Sequence, residues 1–75
     1  MPKLPRVNSR EMIAAPRRGG FVLQRHTAGH AILRHPVTRR TVTVPVHPGD
    51  LRPNVVASIL RGAGLSHEEF QRLLK

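Results

Sequence analysis

Val42, Val44 and Val46 alternate with Thr41, Thr43 and Pro45, the clearest period-two pattern in the chain. Such alternation predicts a strand with its valines on one face. Pro45 has no N–H to give a ladder, which places it on an edge strand or at a strand end. "FVLQRH", residues 21–26, reads as an earlier strand. Strict alternation puts Phe21 and Leu23 on one face and Val22, Gln24 and His26 on the other. "HAILRH", residues 30–35, reads as a second strand, with Ala31 and Leu33 opposed to His30, Ile32 and Arg34. "TAG" joins the two, and Gly29 is expected to supply the left-handed residue of a three-residue hairpin loop. Pro36 to Arg39 form a second turn.

Helical spacing frames these strands. Asn8 and Glu11 have the spacing of a capping box and predict a helix start. Met12 and Ile13 follow as apolar positions. Pro16 breaks one helical hydrogen bond, so the first helix is expected to kink or end near it and to stop at Gly19–Gly20. Pro53 suits the first turn of a later helix, along which Val55, Val56, Ile59, Leu60 and Ala63 form an apolar stripe. Gly62 and Gly64 end that helix. Ser66 and Glu69 form a second capping box, opening a last helix that offers Phe70, Leu73 and Leu74 to the core. The order is helix, three antiparallel strands, then one or two helices: an α+β domain with helices on one face of a small sheet. Its open face is expected to carry Gln24, His26, His30, Arg34, Thr41 and Thr43. Pro2 and Pro5 mark residues 1–7 as a tail, leaving residues 8–75 as a single domain.

Charge sharpens the picture. Thirteen Lys and Arg face four Asp and Glu, a net charge of +9 with histidine neutral. Only Lys3 and Lys75 are lysines, so arginine carries almost all of it. Arginine's planar fork suits bidentate phosphate contacts. The field selects polyanions, with nucleic acid first and an anionic membrane or acidic protein behind it. Two Phe with no Tyr or Trp argue against a single-strand binder that stacks bases on aromatic platforms. No cysteine is present, so neither a disulfide nor a thiolate metal site is available. No apolar run approaches the roughly 20 residues needed to span a bilayer. The N-terminus lacks the apolar stretch of a signal peptide. These features lead to the expectation of a cytoplasmic protein with no membrane partner.

Three of the five histidines fall within residues 26–35. His26 and His30 have an H-x₃-H spacing, and across a hairpin they could face each other at about 5 Å. A structural zinc site normally takes four ligands, and no third or fourth presents itself, so no metal is assigned. Histidine is also the commonest general acid or base. RNA suits a minimal site, because its own 2′-hydroxyl attacks the adjacent phosphate once a base removes the proton. Nearby arginines would stabilise the charge developing at phosphorus. Spacing alone equally fits polar strand residues or phosphate-binding donors.

A resemblance bears on the choice. "GGFVLQRHTAGHAILRHP", "RRTVTVPVH" and "LRPNVVASILRGAGLSHEEF" together resemble the HicA toxin family over about residues 8 to 74. The family shows a Gly-aromatic first strand, a Gly-Ser-His segment at the hairpin, a basic-His-Pro turn, a "TVPxH" strand and a "SILxxAGLS" helix end. The resemblance implies a double-stranded-RNA-binding-like fold. It also implies a metal-independent endoribonuclease toxin that cleaves mRNA, takes no cofactor and is neutralised by a HicB-type antitoxin. It places the family's active histidine at His30, leaves His26 as a possible helper, and gives His35 a structural or phosphate-binding place in the turn. In this reading Arg25, Gly29, Arg34 and Arg40 contact RNA.

The chain departs from the family pattern at several points. Ala28-Gly29 stands where the family has Gly-Ser, and Ala31 where a second histidine is frequent. Pro16 occupies a usually apolar helix position, and "VTR" replaces a turn that tends to carry Asp-Gly. Ala28 is the best support for an alternative, a non-catalytic RNA-binding module or inactive toxin homologue on the same fold. A third reading makes the basic face a docking surface for an acidic partner.

Overall fold

The computed structural model describes residues 5–74. In chain order the elements are α1 (Ser9–Arg18), β1 (Val22–His26), β2 (His30–Arg34), β3 (Thr41–Pro45), α2 (Pro53–Ala63) and α3 (His67–Leu73). The strands form one antiparallel sheet in the order β1-β2-β3. The helices cover one face of it, α1 against β2 and β3 and α2 against β3, with α3 packed on α1. This is the α+β arrangement expected from the sequence, and it is compatible with a double-stranded-RNA-binding-like fold.

Each helix begins where its side chains can take up free amides. Asn8 Oδ1 accepts the Glu11 N–H at 2.9 Å, and Glu11 Oε1 accepts the Asn8 N–H at 3.2 Å. Ser66 and Glu69 repeat the arrangement at α3, both bonds at 3.1 Å. The backbone and side-chain hydrogen bonds from Ser66 hold the Glu69 carboxyl below the usual glutamate range. α1 runs two residues beyond Pro16 before stopping at Gly19 and Gly20, the latter at φ 102°. Pro16 is buried, and its carbonyl accepts from both Gly19 N–H (2.9 Å) and Phe21 N–H (3.0 Å). Core packing and these two bonds offset the helical bond that proline forfeits. α2 ends at Gly64, left-handed at φ 71°.

The core is built from the expected faces. Ala31 and Leu33 of β2 and Val42 and Val44 of β3 are buried, under Met12 and Ala15 of α1 and Val56, Ile59 and Leu60 of α2. Phe70 of α3 closes one end, with no exposure at all. Val7, in the segment read from sequence as a tail, is buried too, and its carbonyl accepts the Leu51 N–H at 2.8 Å. Residues 1–4 of that expected tail, Pro2 among them, lie outside the described residues. The Ser9 hydroxyl is buried on the far side of the sheet from the open face. It donates to the Pro45 carbonyl at 2.8 Å and accepts the His47 N–H at 3.2 Å, tying α1 to the exit of β3. Pro45 ends that edge strand, where its missing N–H costs nothing.

Candidate active site on the open face of the sheet

One irregularity decides which side chains share the open face. β1 and β2 pair as Val22↔Arg34 and Leu23↔Leu33, then skip to Arg25↔Ile32 and His26↔Ala31. Gln24 is the extra residue of a β-bulge, so two residues of β1 oppose one of β2. Cross-strand partners point to the same side of a sheet. Arg25 therefore shares the open face with Ile32, and His26 shares the helix side with buried Ala31. Strict alternation gave the opposite for both. The expectation that His26 lies on the open face is overturned, and so is its pairing with His30. His26 instead lines a groove between α1 and the sheet margin, beside Arg10, Ile13 and Arg17. The two histidines lie on opposite sides of the sheet and cannot share an ion. Among the described residues no three His, Cys, Asp or Glu side chains gather at a possible metal position.

His30 opens β2 on the open face and is exposed. Its backbone is held by Thr27: the His30 N–H donates to Thr27 Oγ1 at 3.1 Å, and the Thr27 N–H donates to the His30 carbonyl at 2.8 Å. Thr27 thus closes the hairpin with its side chain, a role the sequence reading did not assign. Gly29 is not left-handed, contrary to expectation, because the threonine hydroxyl replaces the turn that would have required it. The Gly29 carbonyl accepts the Val46 N–H at 2.9 Å, carrying the β2–β3 ladder past His30. A Cβ at Gly29 would meet nothing within 4 Å, so the surface beside His30 is open.

Arg25 sits diagonally across from His30, a separation of about 7–8 Å that a long side chain spans. Arg34 follows His30 by four residues on the same strand face, about 13 Å along the strand. Beside Arg34 lies Arg39, another residue the sequence reading passed over. Its φ of 66° is the one positive value among the described non-glycine residues, a conformation costing roughly 1–3 kcal/mol. Arg34, Arg39, Gln24, Val22 and Pro36 together line a shallow cavity.

Arg40 and His35 occupy other ground. Arg40 packs over the end of α2, its Nε only 2.8 Å from where a Cβ on Gly64 would stand. It is not brought to the His30 face. His35 stands edge-on to Phe21, ring centroids 5.2 Å apart, and its Nδ1 accepts the N–H groups of Val37 and Thr38, each at 3.2 Å. These contacts give it a structural place in the turn.

Among the described residues, the open face therefore carries the His30 imidazole with the guanidiniums of Arg25, Arg34 and Arg39, and no carboxylate. Against this geometry, the model of the HicA toxin of bacterial toxin–antitoxin systems matches residues 9–65. The chain belongs to the HicA toxin family. The HicA match runs from α1 to the end of α2, so it takes in Arg25, Thr27, Gly29, His30, Arg34 and Arg39, while α3 lies beyond it. No curated protein matches the sequence. No helix among the described residues is long and apolar enough to cross a membrane.

Proposed function

We propose that this HicA-family chain is a metal-independent endoribonuclease toxin that cleaves mRNA, with His30 as its general acid and base. The observation that carries the reading is the β1 bulge, which turns Arg25 onto the face of His30 and removes His26 from it. His30 accepts the proton of an RNA 2′-hydroxyl, whose oxygen then attacks the adjacent phosphorus. The 5′-oxygen leaves and takes the proton back from the imidazolium. This yields a 2′,3′-cyclic phosphate on one fragment and a 5′-hydroxyl on the other. Arg25 faces the charge that grows on the phosphoryl oxygens, and Arg34 holds the strand further along. Arg40, lying over Gly64 at the end of α2, has no part in this arrangement. Gly29 leaves room for the RNA backbone to approach His30 closely.

The test is cleavage of a structured RNA in excess chelator, beside the same RNA with a single 2′-deoxynucleotide at the cut site. The reading predicts cleavage of the first and none of the second at that position. Cleavage of both would rule out attack by the 2′-hydroxyl, and dependence on added metal would rule out the metal-free chemistry.

The partner is a HicB-type antitoxin protein, and it covers the His30 face with an acidic or anion-like surface. The charge of +9, and a face without carboxylates among the described residues, support this. A complex that leaves His30 open to RNA would contradict blocking. A second reading, a non-catalytic RNA-binding module, is favoured by Ala28, an exposed methyl-bearing residue in the hairpin loop where the family pattern has glycine. RNA binding with no cleavage, by a folded chain, would support it.

A further inference from the structure

Of the residues that line the cavity beside Arg34, the mechanism just described uses Arg34 alone. The cavity is about 350 Å³, at the low end of the size of small-ligand sites, and lies at the opposite end of β2 from His30. Two guanidiniums, those of Arg34 and Arg39, stand around it with the amide of Gln24, and neither guanidinium has a protein partner among the described residues. Like charges gathered without a counterion repel, and an anion relieves that repulsion.

Arg39 is the informative residue. It takes φ 66°, where glycine fits freely and an L side chain is disfavoured. The turn that holds it there is tied down on several sides. The Arg39 N–H donates to the His35 carbonyl at 2.8 Å, and the His35 N–H donates to the Arg40 carbonyl at 2.9 Å. The His35 ring fixes the Val37 and Thr38 amides and rests against Phe21. Gly20, at φ 102°, leaves the space that this ring fills, since a Cβ there would fall 2.8 Å from His35 Nε2. A rigid turn thus keeps a strained arginine beside Arg34. Gln24 joins them because the bulge leaves it unpaired in the ladder, its amide free to meet a base edge or ribose.

Resting on the ribonuclease reading, we infer that Arg34, Arg39 and Gln24 form a second RNA subsite. It takes a phosphate a few nucleotides away from the one cut at His30, and Gln24 contacts the nucleoside attached to it. The subsite extends the contact along β2 and makes recognition depend on RNA length.

The test uses the His30→Ala chain, which the ribonuclease reading expects to hold RNA without cutting it, with and without Arg39→Gly. Binding of a long mixed-sequence RNA and of a dinucleotide is followed by fluorescence anisotropy across a salt series. Arg39→Gly is expected to weaken the long RNA about tenfold, as loss of one charge-assisted contact does, and to reduce the salt slope by about 0.7. It is expected to leave dinucleotide binding unchanged and the melting temperature equal or higher, because glycine relaxes the turn. Gln24→Ala is expected to change the ranking of RNA sequences with little change in salt slope. Unchanged affinity and slope in Arg39→Gly would overturn the subsite. So would an equal loss on the dinucleotide. If Arg39→Gly has no effect while the His30-intact chain still cleaves RNA, the subsite alone fails. If the parent neither cleaves nor binds RNA, the ribonuclease reading fails with it.

Discussion

Gly29→Ala separates what the fold needs from what the reaction needs. Gly29 is not left-handed, and a Cβ there would meet nothing within 4 Å. The substitution therefore adds no strain and no clash in the free protein. Its main effect is on the unfolded chain, where alanine samples fewer conformations than glycine, a gain of about 0.4–1 kcal/mol. For a domain of this size that raises the melting temperature by roughly 2–8 °C. Gly64→Ala supplies the contrast. Gly64 is left-handed at φ 71°, and its Cβ would press on Arg40 Nε at 2.8 Å. Backbone strain there costs about 1–2 kcal/mol, although the Arg40 side chain can swing aside. Cleavage should move the other way at Gly29. The added methyl occupies the approach to His30, and displacing the reacting groups by about 1 Å costs up to roughly 100-fold. Urea unfolding and single-turnover cleavage of the same preparations give both numbers. Destabilisation of Gly29→Ala by more than about 1 kcal/mol would refute the backbone argument, and undiminished cleavage would refute close approach of RNA at this loop.

Other substitutions probe the remaining links. Arg25→Ala is expected to slow cleavage by about 100- to 1000-fold, as loss of a donor to developing charge does, whereas Arg40→Ala leaves the rate near wild type; equal effects would contradict the division of faces. Ser9→Ala strands the Pro45 carbonyl and the His47 N–H, and a loss of about 1–3 kcal/mol is expected in denaturant titration. Glu69 is more acidic when folded than when unfolded, so the stability it contributes is complete above the ordinary glutamate pKa and is lost as the pH falls through its lowered folded value. Glu69→Gln should accordingly flatten the acid limb of stability against pH, and an unchanged limb would show that the Ser66 bonds do not persist in solution.

Much of the fold was legible because local and global signals agree. The Asn8–Glu11 and Ser66–Glu69 boxes start α1 and α3 as their spacing implies. The alternating valines of β3 and the stripe of α2 mark their buried faces. Pro16 misled in part, because burial and the bonds to its carbonyl let α1 continue for two more residues. The placement of His30 and Arg34 on the open face was legible, because β2 alternates without interruption. The face was misread at β1. A bulge shifts every later side chain to the other face, and no residue in "VLQRH" announces one. Thr27 was missed for a related reason, since a hydroxyl that closes a hairpin looks like any loop threonine. Arg39 lies in the "VTR" stretch that replaces a turn resembling Asp-Gly in the family, and nothing in those three residues singles out the left-handed one.

In the proposed mechanism the chemistry belongs to His30, and the bulge keeps His26 off its face. The most direct measurement is single-turnover cleavage of one structured RNA, in excess chelator, by wild type, His30→Ala and His26→Ala side by side. His30→Ala is expected to lose about 100- to 10,000-fold, with folding and RNA binding retained, while His26→Ala stays near the wild-type rate. Full activity in His30→Ala, or an equal loss in His26→Ala, would contradict that mechanism.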